Sequence, residues 1–160
     1  MFIASNYTLV SGISVKDEFE ILSFDNALIN AKVSDYNILR VSSILPAGCC
    51  YQPTISNCKG AVLHMAYASY TKKGVGVISS AVAVGIPEDK HNIGVIMEYS
   101  DFVKKGYCID IVENLVKTAM GNRKICIKEI VSIGCEADLS EDYYTTTFAG
   151  IAIWSSFCTI

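Results

Sequence analysis

The chain has 160 residues, a length typical of one domain, which we expect to span residues 1–160. Its 16 acidic and 13 basic residues give a net charge of −3. Nucleic-acid binding is therefore not expected, because no basic excess would neutralise phosphates. Apolar residues make up 51% of the chain and charged residues 18%, which excludes intrinsic disorder. This composition also indicates excess apolar surface, which a subunit interface would cover.

Signals for metal binding, membrane insertion and secretion are weak. There are seven cysteines and two histidines, but no cysteine pair has C-x-x-C spacing, so no metal site is predicted. The uncharged stretches 74–87 and 145–160 fall short of the ~18–20 strongly apolar residues that a membrane span needs. The first basic residue is Lys16, whereas a secretory signal begins with positive charge. We therefore expect a cytoplasmic protein without membrane contact.

The first third of the chain predicts a strand, a helix and a second strand. Residues 7–15 are rich in β-forming side chains. Asp17 is a candidate N-cap for a helix whose apolar residues recur at spacings of three and four. That apolar stripe consists of Ile21, Phe24, Ala27, Leu28 and Ala31. Residues 37–45 predict one strand that ends at Pro46, and residues 47–59 have loop composition.

Two long strands are predicted in the middle of the chain, at residues 60–70 and 76–86, with a hairpin-like turn at residues 71–74 between them. In the second strand, large apolar residues alternate with small ones. The small residues are Ala81, Ala83 and Gly85, and they would let another sheet or a helix approach closely.

The last third predicts one more helix among further strands, at residues 93–99, 125–135 and 148–157. Between Cys108 and Met120 an apolar stripe runs through three turns, and Gly121 follows as a candidate C-cap. Two separated helices among adjacent strands predict an α+β fold, with the helices covering a largely antiparallel sheet.

Three segments carry a family resemblance. Residues 24–31 read F-D-N-A-L-I-N-A, residues 37–46 read N-I-L-R-V-S-S-I-L-P, and residues 96–99 read I-M-E-Y. In this order they resemble the pyruvoyl-dependent arginine decarboxylases, whose signature is similar to F-D-x-A-L-x-N-A, N-x-x-R-x-S-S-I-x-P and I-M-E-Y. The resemblance runs from about residue 7 to residue 154. One departure is Ala47, which follows Pro46 where a second proline is common.

The resemblance implies a fold, an assembly and an activity. The fold is a four-layer αββα sandwich with mostly antiparallel sheets. The assembly is a homotrimer with its sites between subunits. The activity is the conversion of L-arginine to agmatine and CO2, a step in polyamine synthesis or acid resistance.

The resemblance also implies autocatalytic cleavage of a precursor between Ser42 and Ser43. The Ser43 hydroxyl attacks the Ser42 carbonyl, and the ester that forms is eliminated, which leaves a beta chain (1–42) and an alpha chain (43–160). Only a residue with a nucleophilic β-heteroatom can start this reaction. The covalent pyruvoyl group derived from Ser43 would replace pyridoxal phosphate, without a metal. It would form a Schiff base with the substrate and take up the electrons released on decarboxylation.

Further roles come from matching positions in the motifs. Glu98 would protonate the carbanion, and its apolar sequence neighbours would favour the neutral acid. Asn37 would assist processing by donating a hydrogen bond to an oxyanion. Asp25 would bind the arginine guanidinium through paired hydrogen bonds. The remaining candidates for the substrate pocket wall are Leu28, Ser34 and Ser42.

Two other functions remain open at this stage. Ser43 freed by simple hydrolysis would be the nucleophile of an N-terminal-nucleophile hydrolase. An unprocessed chain would be a non-catalytic, ligand-binding relative.

Overall fold

The computed structural model describes residues 3–155, in which two helices lie among nine strands. In chain order the elements are β1 (Asn6–Asp17), α1 (Glu20–Asn30), β2 (Asn37–Arg40), β3 (Ile44–Leu45), β4 (Cys50–Tyr51), β5 (Val62–Lys72), β6 (Val77–Pro87), β7 (Gly94–Asp101), α2 (Lys105–Asn122), β8 (Ile127–Asp138) and β9 (Tyr144–Trp154). Neither helix in this range is long and apolar enough to cross a membrane.

The strands form two sheets that pack face to face. Sheet A has the order β2-β5-β9-β1-β4, and sheet B has the order β3-β7-β6-β8. The long strands pair antiparallel, whereas the short strands β2 and β4 pair parallel with β5 and β1. Helix α1 covers the outer face of sheet A, and α2 covers the outer face of sheet B. The predicted αββα sandwich with mostly antiparallel sheets is confirmed.

Large and small apolar side chains alternate along β6, so its two faces pack against different layers of the fold. Val82 and Val84 lie in the apolar cluster between the sheets, while Ala81 and Ala83 face α2. A side chain added at Gly85 would come within 2.7 Å of Val116 Cγ1 on that helix. The small residues of this strand therefore let α2 approach closely, as the sequence predicted.

The prediction of one strand over residues 37–45 is wrong. Strand β2 is an edge strand of sheet A, and β3 is an edge strand of sheet B. The chain crosses between the sheets at residues 41–43. A β-rich run shows where extended backbone is favoured, but it does not show which neighbour each half pairs with. The β-rich run at residues 37–45 therefore predicts one strand, although it forms two edge strands in different sheets.

The hairpin predicted at residues 71–74 is also wrong. Strands β5 and β6 lie in different sheets, and β5 pairs with β9 and β2 instead. Gly74 and Gly76 take positive φ angles of 143° and 123°, so the chain does turn there. The turn carries the chain from one layer to the next.

Two predicted helix ends differ from the structure. Asp17 is the last residue of β1, and its carboxylate accepts hydrogen bonds from Ser14 and from Asn26 Nδ2 (2.6 Å) instead of capping α1. Gly121 lies inside α2, and the left-handed position falls on Lys124, with φ 56°. The last predicted strand begins earlier, at Tyr144, and its predicted residues 156–157 lie outside the described residues.

Candidate active site

The peptide bond between Ser42 and Ser43 lies where the chain leaves one sheet and joins the other. On one side, the Val41 N–H donates to the Met65 carbonyl of sheet A at 3.1 Å. On the other side, the Ser43 carbonyl accepts from the Ile96 N–H of sheet B at 2.8 Å. The crossing is therefore fixed at both ends by backbone hydrogen bonds from different layers.

A tight turn surrounds this peptide bond. The Ile44 N–H donates to the Ser42 carbonyl oxygen at 2.7 Å, which closes a three-residue γ-turn centred on Ser43. A donor at a carbonyl oxygen polarises the carbonyl and stabilises negative charge that develops on it. The backbone of Ile44 thus occupies the position of an oxyanion donor, and sequence analysis did not identify it.

The Ser43 side chain meets a carboxylate from sheet B. Its Oγ donates a hydrogen bond to Glu98 Oε2 at 3.0 Å. Glu98 lies on β7 two residues after Ile96, so both point into the space between the sheets. The Glu98 side chain is 19% exposed. A hydroxyl that donates to a carboxylate has the geometry needed for activation of a nucleophile by a general base.

Arg40 is the second partner of Glu98. Its Nη2 lies 3.6 Å from Glu98 Oε1 and donates to the Tyr67 carbonyl at 3.1 Å. The guanidinium also stacks over the Tyr67 ring, 4.9 Å from the ring centroid. Sequence analysis did not identify Arg40 as a site residue. The available signal was its fixed place in N-x-x-R-x-S-S-I-x-P.

The other predicted residues lie elsewhere in the chain. The Asn37 amide donates to the Gly60 carbonyl at 2.7 Å, at the start of β2 and away from Ser43. Asp25 is exposed on α1, and Ser34 is half-buried after that helix. Leu28 belongs to the apolar cluster between α1 and sheet A. That cluster and the space that holds Glu98 lie on opposite faces of the sheet.

A largely apolar recess of about 330 Å3 adjoins the crossing. Ser42 lines it, whereas Asp25, Leu28 and Ser34 do not. Its lining consists of Ile3, Ala4, Val41, Ser42, Ile44, Pro46, His64 and Ile153. Within one chain, the structure therefore groups Ser42, Ser43 and Glu98 and leaves the predicted guanidinium partner apart.

The residues at the crossing fit the predicted pyruvoyl group, which would be formed from Ser43 itself. Ser43 is half-exposed in a turn, beside a carboxylate and next to a polarised carbonyl. Within residues 3–155, no group of three or more His, Cys, Asp or Glu side chains is placed to hold a metal ion. The chemistry available at the crossing is that of a serine hydroxyl, a carboxylate and a guanidinium.

Comparison with known proteins gives one consistent result. The family model for pyruvoyl-dependent arginine decarboxylase matches residues 6–157, so the chain belongs to this family. The pyruvoyl-dependent arginine decarboxylase of Methanococcus aeolicus is 33% identical over 133 residues, which cover 82% of this chain and 79% of the relative. That of Methanocaldococcus jannaschii is 32% identical over 148 residues, with 92% and 88% covered. The family predicted from the three motifs is thereby confirmed.

Proposed function

We propose that the chain cleaves itself between Ser42 and Ser43 and then decarboxylates L-arginine to agmatine and CO2 in the cytoplasm, as a step toward polyamines. Membership of the family supports the reaction type. The observation that carries the proposal is the 3.0 Å hydrogen bond from Ser43 Oγ to Glu98 at the crossing between the sheets. A carboxylate within hydrogen-bond distance of the one hydroxyl that must become a nucleophile supports this step.

In the cleavage step, Ser43 Oγ attacks the Ser42 carbonyl carbon while Glu98 accepts the hydroxyl proton. The Ile44 N–H stabilises the oxyanion. As the carbon–nitrogen bond breaks, Glu98 delivers the proton to the Ser43 nitrogen, which completes an N-to-O acyl shift. Loss of the Ser43 Cα proton and rupture of its Cβ–Oγ bond then release a carboxylate at Ser42. The dehydroalanine that remains at position 43 takes up water and loses ammonia, which leaves the pyruvoyl group.

In turnover, the pyruvoyl group supplies a carbonyl that withdraws the electron pair left as CO2 departs. Glu98 returns a proton to the substrate carbon, and its position beside Ser43 supports this role. Asp25 binds the substrate guanidinium through two charge-assisted hydrogen bonds. Asn37 assists processing by fixing the start of β2, where its amide donates to the Gly60 carbonyl. Ser42 forms a wall of the pocket in its own chain. Leu28 and Ser34 form walls of the pocket from a neighbouring copy, as Asp25 does.

A homotrimer with shared sites accounts for the distance between Asp25 and Ser43. Asp25 lies on an α1 surface that exposes large apolar side chains, with Phe19 60%, Ile21 72% and Leu22 51% exposed. Such a surface is typical of a subunit interface. Packing of this surface against a second copy would bring Asp25 of one chain to Ser43 of the next.

The first test is the intact mass of the purified protein. We expect two chains, 1–42 and 43–160, with the longer one lighter by one ammonia than a chain beginning with serine. Ser43→Ala should stay uncleaved. Ser132→Ala is the matched control, because Ser132 Oγ likewise donates to a glutamate, Glu113 Oε1 at 2.7 Å, and this variant should cleave normally.

Other results of the mass measurement would contradict the proposal and favour a different function. Two chains without loss of ammonia would favour the N-terminal-nucleophile hydrolase. A chain that stays intact after prolonged incubation would favour a non-catalytic relative. Cleavage of Ser43→Ala would refute the mechanism.

The shared site has its own test. Asp25→Asn should cleave but fail to produce agmatine, and Ser43→Ala should do neither. Co-expression of these two variants should restore part of the activity, because a mixed trimer contains sites with both native residues. If mixed trimers form and stay inactive, the site does not combine residues of two chains.

A further inference from the structure

We propose that Arg40 is a positioning residue for the cleavage step. It holds Glu98 so that one carboxylate oxygen faces the guanidinium and the other faces the Ser43 hydroxyl. The inference rests on the proposed function, because it assigns to Arg40 a part in that same cleavage.

The contacts divide the two oxygens of Glu98 between two partners. Oε1 faces Arg40 Nη2 at 3.6 Å, and Oε2 accepts from Ser43 Oγ at 3.0 Å. A carboxylate on a strand can rotate about its terminal bonds, and a cation on one oxygen restricts that rotation. The oxygen that accepts the proton is thereby kept in line with the nucleophile.

Arg40 is itself held in place by sheet A. Its guanidinium donates to the Tyr67 carbonyl and stacks on the Tyr67 ring. These two contacts hold the guanidinium in place independently of Glu98. Glu98 belongs to β7 of sheet B, so Arg40 links edge strand β2 of sheet A to sheet B beside the peptide bond that is cut.

The position calls for an arginine in particular. The planar fork of a guanidinium directs several N–H groups at once. Lysine would keep the charge but would lose the stacking and the simultaneous contacts with Tyr67 and Glu98. Of the two ion pairs found within residues 3–155, Arg40–Glu98 is the one at the crossing, since the other joins Lys59 to Asp35.

The test measures the rate at which freshly made precursor is cleaved, followed by denaturing gel and intact mass. We expect Arg40→Gln to slow cleavage about tenfold. Loss of a solvent-screened ion pair alone would change the rate little, whereas misplacement of the reacting groups by about 1 Å can slow a reaction about 100-fold. Because the Arg40–Glu98 pair is partly exposed, the expected effect lies between these limits. Arg40→Lys should recover part of the rate. Arg123→Gln is the matched control: it removes the chain's other arginine, which lies at the end of α2, and should leave the rate unchanged.

A double-variant cycle separates positioning from a structural role. If Arg40 acts through Glu98, adding Arg40→Gln to Glu98→Gln should slow cleavage no further than Glu98→Gln alone. Tyr67→Leu removes the stacking but keeps the backbone carbonyl, and it should slow cleavage less than Arg40→Gln. The melting temperatures of the Arg40 variants should stay within a few degrees of wild type, because the Arg40 side chain is 59% exposed.

Three results would overturn the inference. The first is equal cleavage of Arg40→Gln and wild type, which leaves the proposed function intact. The second is an additive loss in the double variant, which would mean that Arg40 acts independently of Glu98. The third is a wild-type chain that never cleaves, which removes the proposed function and this inference with it.

Discussion

A Gly94→Ala variant tests whether the pairing of β3 with sheet B controls cleavage at the proposed site. Gly94 lies on β7 opposite Leu45 of β3. A Cβ added there would come within 2.7 Å of the Gly85 carbonyl oxygen and 3.1 Å of Leu45 Cβ. Gly85 lies inside sheet B with α2 against it, so it cannot retreat, whereas β3 is a two-residue edge strand that can. In Gly94→Ala we therefore expect β3 to be displaced, together with Ser43.

The size of the effect follows from the overlap. Overpacking of this kind costs about 1–3 kcal/mol of unfolding free energy. For a chain of this length, that lowers the melting temperature by about 2–4 °C per kcal/mol. A shift of about 1 Å between reacting groups can cost about 100-fold in rate, so cleavage should slow more than stability falls.

Two measurements check this expectation. Unfolding free energy is measured by urea titration in the Ser43→Ala background, where the chain stays in one piece, and cleavage rate is measured with Ser43 present. The control is Gly121→Ala inside α2, where an added Cβ meets nothing within 4 Å. That change should stabilise the protein by about 0.4–1 kcal/mol. Unchanged stability and unchanged cleavage in Gly94→Ala would refute the reasoning.

Two more expectations concern buried groups. Burial, with a smaller effect of neighbouring Cys50, raises the pKa of the Cys49 thiol to about 11, so its reactive thiolate is scarce at pH 8 and increases only toward pH 11. Iodoacetamide at pH 8 should label exposed Cys50 before Cys49 in a peptide map, and the reverse order would contradict this. Trp154 Nε1 donates to Thr8 Oγ1 at 3.0 Å, with both residues buried. Trp154→Phe should lower the unfolding free energy by about 1–3 kcal/mol in a urea titration, and no change would show that this bond contributes nothing.

The layers of the fold could be predicted because each has a local signature. The stripe from Cys108 to Met120 identified α2, and alternation along β6 identified a strand with different neighbours on its two faces. The pairing of strands could not be predicted in the same way. Whether residues 71–74 close a hairpin depends on β9, whose residues lie more than 70 positions later in the chain. Local periodicity does not contain that contact.

In the candidate site as well, some residues could be predicted from local sequence and others depend on how the strands pair. The motifs singled out Ser43 and Glu98, which the fold brings to 3.0 Å from each other across 55 positions of sequence. Arg40 lies in one of the motifs, but its sequence does not show that it would reach Glu98, and the Ile44 N–H is a backbone group that no side chain marks. Their roles arise from where the chain bends, and the bend follows from β2 and β3 belonging to different sheets.

Under the proposed cleavage, the position of β1 has a consequence for the lifetime of the cleaved protein. β1 belongs to the segment 1–42, yet it lies inside sheet A between β9 and β4, and it pairs with β9 along most of its length. After the proposed cleavage, the pairing of β1 with β9 would hold the two pieces together without a covalent link between them. Refolding then becomes a bimolecular reaction whose yield depends on concentration. A cleaved molecule that unfolds in dilute solution would therefore refold poorly, and its persistence would depend on a slow unfolding rate.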